Sequence, residues 1–573
     1  MVNLTVDGKP VQVAEGTTVL GAAKLAGIHV PTLCDMYRTN QIGACRVCVV
    51  EIEGEERLSA ACNTPVSEGM AVLTNTPKVI QARRANVQMI LSEHRSECTT
   101  CLRATTCALK ALANDLAIER LPFAAQPPAP EPWDETFPLI RDNTKCIKCM
   151  RCVAECASVQ HCAVWDFTGT GSHMHVTVRE GLDIDAAKCA LCGQCITHCP
   201  TGALTARDDV DVVMKALIDP EVMTVVQVAP AVRAAWGEGV GVAREEATPG
   251  RLASALRAIG FDKVFDTDFA ADLTIMEEGS EFVEFMSSDK PRPMFTSCCP
   301  GWVRFAKLHY PQFVSQLSSA KSPHQMEGAV VKNTLAAEAE AAGKRIFVVS
   351  IMPCVAKKYE CDVPQLATEK GRDVDAVLTV REFDRMLNMF HVDCGALEET
   401  DWDSPLGLST GAGTIFGRTG GVMEAALRSA VFLITGENPD FSTCDTTEST
   451  PKKPWVTKEL DVAGTPVRIA VASGLGNTAQ LLDAIEAGEV DLDFVEIMAC
   501  PGGCVGGGGQ PIEFNKELAK ARAANLNALD AADTLRYSHE NPDVQKLYAD
   551  WVEKPLSHTA HEWLHTDQEA WDI

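Results

Sequence analysis

In the stretch Glu496–Pro511 (EIMACPGGCVGGGGQP) a short apolar run ends in two cysteines, Cys500 and Cys504, set in a glycine-rich loop. Thiolates are soft ligands suited to iron–sulfur centres. Glycines beside them let backbone N–H groups come close to a bulky, electron-rich group. Taken alone, the loop also reads as a glycine turn with two buried cysteines. Two further stretches decide between these. Thr296–Trp302 (TSCCPGW) holds adjacent Cys298 and Cys299, and Met352–Glu360 (MPCVAKKYE) holds Cys354. All three loops follow runs with the character of buried strands: Pro293–Phe295, Ile346–Ile351 and Asp493–Met498. In an open α/β sheet, loops at the carboxyl ends of strands face one crevice. Three thiolate-bearing loops from distant sequence are therefore expected to meet at one metal site.

Together, TSCCPGW, MPCVAKK and ACPGGCVGGGG resemble the three signature motifs of the iron-only (FeFe) hydrogenases, and they occur in that family's order. The resemblance implies reversible oxidation of H₂ to protons and electrons at an H-cluster. That cofactor is a 4Fe–4S cubane joined through one cysteine sulfur to a diiron unit with CO, cyanide and azadithiolate ligands, supplied by maturation proteins. Carried over motif by motif, Cys299, Cys354, Cys500 and Cys504 hold the cubane, and Cys504 bridges to the diiron unit. Lys357 donates a hydrogen bond to a cyanide, and Met352 and Met498 pack against the cluster. Pro230 and Ala231 line the diiron unit, as does Phe416 in the glycine loop Phe416–Leu427 (FGRTGGVMEAAL). Some relatives have serine where this chain has Ala231, and glutamine is common where it has His324, so those contacts differ here. The family's proton relay maps onto Cys298, Glu278, Ser318 and Glu281, with Glu278 and Glu281 three residues apart on one helical face. Relatives can carry an arginine at its outer end; this chain has Phe285 there, with Glu284 as a substitute.

A chain of 573 residues has room for about four domains. Its 24 cysteines fall in C-x2-C groups, which fits metal sites in a reducing compartment better than a secreted disulfide framework. The opening MVNLTVDGKP lacks a basic, apolar signal pattern, and no run approaches the roughly 18 apolar residues of a membrane span. A cytoplasmic protein is the expectation. The net charge of −27 argues against nucleic acid or an anionic membrane as partner.

The predicted fold is multidomain, α+β and α/β. Residues 1–78 open with two strand patterns, NLTVDG and VQVAEG, turned at Gly8-Lys9-Pro10, and carry Cys34, Cys45, Cys48 and Cys62. Four thiolates with one close pair can hold a 2Fe–2S cluster, or a structural zinc. The spacing resembles the β-grasp amino-terminal domain of the hydrogenases and of the large iron–sulfur subunit of respiratory complex I. Residues 79–125 make a small domain that looks helical over 79–123 and holds His94, Cys98, Cys101 and Cys107. They resemble the His-plus-three-cysteine 4Fe–4S site of the same families, in which an imidazole replacing a thiolate raises the cluster's potential. Gln126–Trp133 (QPPAPEPW) reads as a stiff linker. Residues 138–208 contain two C-x2-C-x2-C-x3-C runs, the two-cluster bacterial ferredoxin pattern. In that pattern the fourth cysteine of each run ligates the other cluster. One 4Fe–4S cluster then takes Cys146, Cys149, Cys152 and Cys199, and the other Cys189, Cys192, Cys195 and Cys156.

Cys162, Cys361, Cys394 and Cys444 are left as small buried hydrophobes. Residues 209–573 read as a large α/β catalytic domain with strands at Val225–Ala229 and Val467–Ala472, helices at Pro249–Ile259 and Thr478–Ala487, and a helical, cysteine-free tail. One 2Fe–2S and three accessory 4Fe–4S clusters would pass electrons to ferredoxin or a similar soluble carrier. The rival class, an electron-transfer subunit, leaves the motif cysteines Cys299, Cys354, Cys500 and Cys504 without a purpose. Between Pro77 and Lys110, basic Lys78, Arg83, Arg84, Arg95, Arg103 and Lys110 outweigh Glu93 and Glu97. That stretch is the expected docking face for an acidic carrier.

Overall fold

The structure, a computed structural model, describes residues 1–37, 39–446, 453–462, 464–571 and 573. At the amino terminus, strands Val2–Val6 and Lys9–Val13 pair antiparallel. They form one side of a five-stranded mixed sheet completed by Val49–Ile52, Ser59–Ala60 and Ala71–Leu73. The turn is Asp7-Gly8, with φ of 47° and 77°, rather than Gly8-Lys9-Pro10. Two successive positive φ angles match the right-handed twist of a hairpin. Pro10 then sits on the edge strand, where its missing N–H breaks no ladder bond. Helix Val19–Leu25, capped by Thr18, lies against this sheet and buries Val19, Ala22 and Ala23.

Residues 79–123 are helical only at their two ends, in Pro77–Ser92 and Ala108–Asp115; the histidine and cysteines fill the irregular segment between. The proline-rich linker has no regular structure, but it is tied down at its end. Trp133 stacks on Trp165 at 6.1 Å and donates its indole N–H to the Leu139 carbonyl. The following domain contains two short antiparallel strand pairs, Leu139–Arg141 with Leu204–Ala206 and the hairpin Trp165–Thr168 with His175–Val178.

The catalytic domain holds two four-stranded sheets where the sequence suggested one open sheet. In the first, Lys263–Asp266, Val222–Val228, Arg345–Met352 and Ala376–Thr379 run parallel. In the second, Met294–Phe295, Phe494–Met498 and Thr465–Ser473 run parallel, and Trp455–Val462 adds an antiparallel edge. Every residue of Val222–Val228 and of Phe494–Met498 is buried, as parallel strands covered on both faces require. Helix Thr267–Met286 packs on Pro323–Thr334 and on Gly421–Thr435, and every residue from Thr267 to Ile275 is buried. Helix Pro249–Ile259 has the expected bounds.

Lys358, fully buried, clasps the first residue of this domain, Asp209, to its first sheet and to helix Val380–Met389. Its ammonium contacts Asp209 at 2.7 Å and Glu382 at 3.0 Å, and donates to the Val377 carbonyl. Removing one partner of a buried ionic group leaves the others uncompensated, at about 3–5 kcal/mol. Lys358→Met should lower the thermal unfolding midpoint markedly, whereas Lys344→Met, at an exposed pair with Asp262, should scarcely move it. Equal effects on the two midpoints would count against the clasp.

Candidate active site and electron path

The cysteine loops of the catalytic domain leave the carboxyl ends of strands in different sheets. Cys354 follows Arg345–Met352 of the first, while Cys298, Cys299, Cys500 and Cys504 follow Met294–Phe295 and Phe494–Met498 of the second. The site therefore lies between the sheets. Burial foremost pushes Cys354 up to about 12 and raises Cys299, Cys500 and Cys504, and the neighbouring thiols add to the rise of Cys354, Cys500 and Cys504. Their mutual influence places these sulfurs in one cluster. Gly503 has φ of 92°, and a Cβ on it would lie 2.5 Å from the Thr419 nitrogen and 3.0 Å from the Met498 sulfur. The glycine loop is thus pressed against Arg418–Thr419 with no room for a side chain. Gln510 donates to the carbonyls of Ala231 and Cys504 and ties the two loops together. Met352, Met498, Pro230, Ala231 and Phe416 are all buried.

Glu496 is a carboxylate inside an otherwise apolar strand. It accepts from the backbone N–H groups of Gly420 at 2.6 Å and Met423 at 2.7 Å, at the amino terminus of helix Gly421–Thr435. This fixes the FGRTGG loop against the ACPGG loop and places a carboxylate where the helix dipole favours it. Burial nonetheless pushes Glu496 up to about 7. Its odd position in VEIM was the available sequence signal.

Lys357 donates to the Cys298 carbonyl at 3.2 Å and to Glu360 at 2.8 Å. His324 is fully interior, bonds the same Glu360 oxygen through Nε2, and meets the Ser350 hydroxyl through Nδ1 at 3.1 Å. Burial, then the Lys357 charge, lowers His324 to about 4, so it is a neutral imidazole. Glu360 is held down to about 2; its burial is outweighed by Lys357 and His324.

On helix Thr267–Met286, Glu278 is fully buried, and neither of its oxygens makes a hydrogen bond of ordinary geometry. Burial, then the Glu281 charge, pushes it up to about 8. It is mostly protonated at neutral pH. Ser318 donates to Glu281 at 2.6 Å. The Cys298 thiol is raised well above the ordinary cysteine value by burial and then by Glu278. Phe285 packs in an apolar cluster with Phe282 and Met294.

In the ferredoxin-like domain, Cys146, Cys149, Cys152 and Cys199 line one cavity, and Cys156, Cys189, Cys192 and Cys195 line another. That is the crossed set expected from the repeat. Cys162 also lines the second cavity, while Cys361, Cys394 and Cys444 are buried elsewhere. In the amino-terminal domain Cys34 is raised and Cys45 lowered to about 6, each chiefly by the other, and Cys62 is raised and Cys48 lowered in the same way, with burial opposing the two lowered thiols. His94 meets the Lys145 carbonyl through Nδ1 at 3.1 Å, and burial lowers its pKa. A neutral imidazole that donates Nδ1–H to a carbonyl keeps a lone pair on Nε2 for a metal.

The cavities are joined in series. Asn40 donates to the carbonyls of both Cys34 and Cys149. Arg103 donates to Ile196 and Cys199, and a Cβ on Gly202 would lie 2.7 Å from the Cys101 sulfur. Trp165 borders both ferredoxin-like cavities. At the inner end, the Cys500 thiol reaches the Cys192 carbonyl at 3.7 Å. The expected docking face is reduced by this packing: Arg83 and Arg103 are buried, and Arg84 bonds the Leu116 carbonyl. Lys78, Arg95 and Lys110 remain exposed. The guanidiniums satisfy carbonyls inside the fold, which their charge count could not reveal.

Two cysteine-lined cavities, two further cysteine groups tethered to them, and another cysteine group at the meeting of two sheets define an iron–sulfur redox enzyme. The chain belongs to the iron-only hydrogenases. Residues 222–508 match the family model for the C-terminal domain of the iron-only hydrogenase large subunit, and 516–569 match the model for the iron hydrogenase small subunit. Residues 1–77 match a 2Fe–2S iron–sulfur cluster binding domain, 83–121 the NADH-ubiquinone oxidoreductase-G iron–sulfur binding region, and 145–203 a 4Fe–4S dicluster domain. The chain is 43% identical to NADP-reducing hydrogenase subunit HndD of Solidesulfovibrio fructosivorans, over 99% of this chain and 98% of that one. It is 36% identical to iron hydrogenase 1 of Clostridium pasteurianum, over 99% of both. A structure of a variant of FeFe-hydrogenase HydA1 from Chlamydomonas reinhardtii superposes with a TM-score of 0.57 at 40% identity, covering 63% of this chain and 98% of that one. Among the described residues no helix is long and apolar enough to cross a membrane.

The residues present fit the clusters of this family: soft thiols line two cavities of the ferredoxin-like domain, and at Gly503 and Gly202 the backbone presses so close to Met498 and to the Cys101 sulfur that only glycine fits. If Nε2 of His94 binds iron, His94→Cys adds a negative charge and should lower the potential of one 4Fe–4S cluster by roughly 100 mV. Potentiometric titration followed by electron paramagnetic resonance should show the other potentials unmoved. A titration identical to wild type would remove His94 from the ligand set.

Proposed function

We propose that the chain catalyses reversible oxidation of H₂ at an H-cluster held by Cys299, Cys354, Cys500 and Cys504, with electrons carried through one 2Fe–2S and three 4Fe–4S clusters. One observation carries this reading. The electron path, ending at Cys500 beside Cys192, and a buried chain of proton-carrying groups, beginning at Cys298, meet at the same loops. The cofactor, with a diiron subsite supplied by maturation proteins and bearing CO, cyanide and azadithiolate, provides the metal site where H₂ is split or formed. The residues do the rest. Cys298 exchanges the proton, Glu278 takes it as a buried acid, and Ser318 passes it to Glu281. Two of the three Lys357 ammonium hydrogens are engaged by Glu360 and the Cys298 carbonyl, leaving one for a cyanide. The His324–Glu360 bond holds that ammonium in place. Met352, Met498, Pro230, Ala231 and Phe416 exclude water.

Electrons would enter or leave at two points, the 2Fe–2S domain through Asn40 and the His94 site through Lys145. A soluble ferredoxin is one acceptor. Likeness to HndD along nearly its whole length supports a second, an NADP-linked partner protein. Rates measured with purified ferredoxin, NADH and NADPH as alternative donors would separate the two.

Cys298→Ala should leave every cluster assembled, with the wild-type infrared bands of CO and cyanide, yet lower H₂ turnover about 100-fold or more. Cys298→Asp should retain part of the activity, because a carboxyl can carry a proton and a methyl cannot. Near-normal H₂ evolution by the fully matured alanine variant would sink the relay.

A further inference from the structure

The outer end of the relay is where this chain departs most from its family. Phe285 lies in an apolar cluster. Glu284 is exposed, and among the described residues no hydrogen bond joins it to Glu281. A different continuation is present. Both oxygens of Glu281 accept from the Ser319 N–H, and the Ser319 hydroxyl meets Glu281 Oε1 at 2.9 Å. The same hydroxyl meets Nδ1 of His565 at 2.8 Å. His565 is 6% exposed, and its Nε2 meets Glu277 Oε2 at 2.9 Å. Glu277 is fully buried and is held by the Tyr548 hydroxyl at 2.6 Å and the Leu556 N–H at 2.9 Å. One turn earlier on helix His558–Leu564 is His561, exposed to solvent, with its ring centroid 4.8 Å from that of His565. The backbone is pinned as well: His565 bridges Ala320, and the Thr566 N–H donates to the Ser319 carbonyl at 2.8 Å.

We propose that protons enter and leave through Ser319 and His565, with Glu277 orienting the imidazole at the edge of the fold, beside the exposed His561. This rests on the relay from Cys298 to Glu281 described above. Outward transfer breaks the Glu281 O–H bond as Ser319 Oγ gains that proton. Ser319 gives up its own hydrogen to Nδ1 of His565. The product is a Glu281 carboxylate, a serine with its hydroxyl restored, and an imidazolium. The negative Glu277 carboxylate beside Nε2 stabilises that cation, as a carboxylate does when it orients a histidine base. The groups facing His565 are Glu277, Ser319 and His561, with Glu281 and Tyr548 one bond further away. Among the described residues no lysine or arginine is shown hydrogen-bonded or ion-paired to Glu281, Ser319, His565 or Glu277, so a proton crossing this outer segment meets no fixed positive partner. Inward transfer reverses each step.

The test uses the matured, full-length holoenzyme and the variants His565→Ala, Ser319→Ala and Cys298→Ala. Three quantities are read: H₂ turnover, its ratio in H₂O and D₂O, and rescue by free imidazole. Infrared bands of the CO and cyanide ligands report whether the site is intact. His565→Ala should keep the wild-type bands, lose about tenfold or more in turnover and show a raised isotope ratio. Added imidazole, which can occupy the vacated space, should restore part of the rate. Ser319→Ala should show the same loss without rescue, and imidazole should not rescue Cys298→Ala. If His565→Ala fails to mature, Ser319→Ala decides by the same turnover and isotope criteria. Wild-type turnover in both outer variants, with Cys298→Ala inactive, overturns this exit and leaves the inner relay standing. A loss in His565→Ala with neither imidazole rescue nor a raised isotope ratio also overturns it, since the histidine is then structural. Full activity of Cys298→Ala removes the inner relay and this exit together.

Discussion

The catalytic domain depends on keeping several sulfurs close together where water is excluded. Burial is the first cause raising Cys299, Cys354, Cys500 and Cys504, and for Cys354, Cys500 and Cys504 the other sulfurs are among the next. Without metal the group is held as neutral thiols, and deprotonation is opposed by low polarity and by repulsion between neighbours. Metal binding inverts this, because iron requires the thiolates and compensates their charge. Folding of the three loops and loading of the site are therefore linked. The loops are arranged for that link: glycines at the tightest approaches, Gln510 holding Ala231 to Cys504, and Glu496 fastening one loop to a helix terminus.

Placing this site between two sheets solves a packing problem that one open sheet would not. A crevice at the edge of a single sheet is open on its far side. Here the carboxyl ends of parallel strands approach from two directions, and helix Thr267–Met286 fills the interior while carrying Glu277, Glu278 and Glu281. Carboxylates inside a domain are costly unless they are bonded or neutral. Glu277 is bonded by Tyr548, Leu556 and His565, whereas Glu278 is left without such bonds and shifts toward the neutral acid. Two adjacent residues of one type thus acquire opposite chemistry from their surroundings.

Much of this was legible in the sequence where the signal is local. The crossed cysteine sets of the ferredoxin-like domain follow from the repeat alone, and the bounds of helix Pro249–Ile259 follow from its periodicity and Gly260. What could not be read depends on partners distant in the chain. The first hairpin turns one residue earlier than Gly8-Lys9-Pro10 suggested, because edge position decides where a proline is tolerated. Arg83 and Arg103 count as positive charge in a window of sequence, but each spends its guanidinium on carbonyls of another segment. Of the lysine pair in MPCVAKK, the motif singles out Lys357, and nothing local marks Lys358 as the buried clasp. Ser319 and His565 are separated by 246 residues, so no spacing pattern could have joined them.

Adjacent Cys298 and Cys299 show how the proposed enzyme keeps two currents apart. Both leave the same short strand, yet their side chains serve different networks. Cys299 lies with Cys354, Cys500 and Cys504, beside the ferredoxin-like cavity that Cys500 touches through Cys192. Cys298 belongs with Glu278 and the carboxyl–hydroxyl chain that runs toward the carboxy-terminal segment. Electrons can tunnel through packed protein, whereas a proton needs a hydrogen-bonding atom at every step. A wire of cavities set among apolar side chains and a file of hydroxyls and carboxyls are accordingly different structures, and neither can replace the other. Their separation at neighbouring residues gives both access to one metal site while the rest of its wall stays apolar.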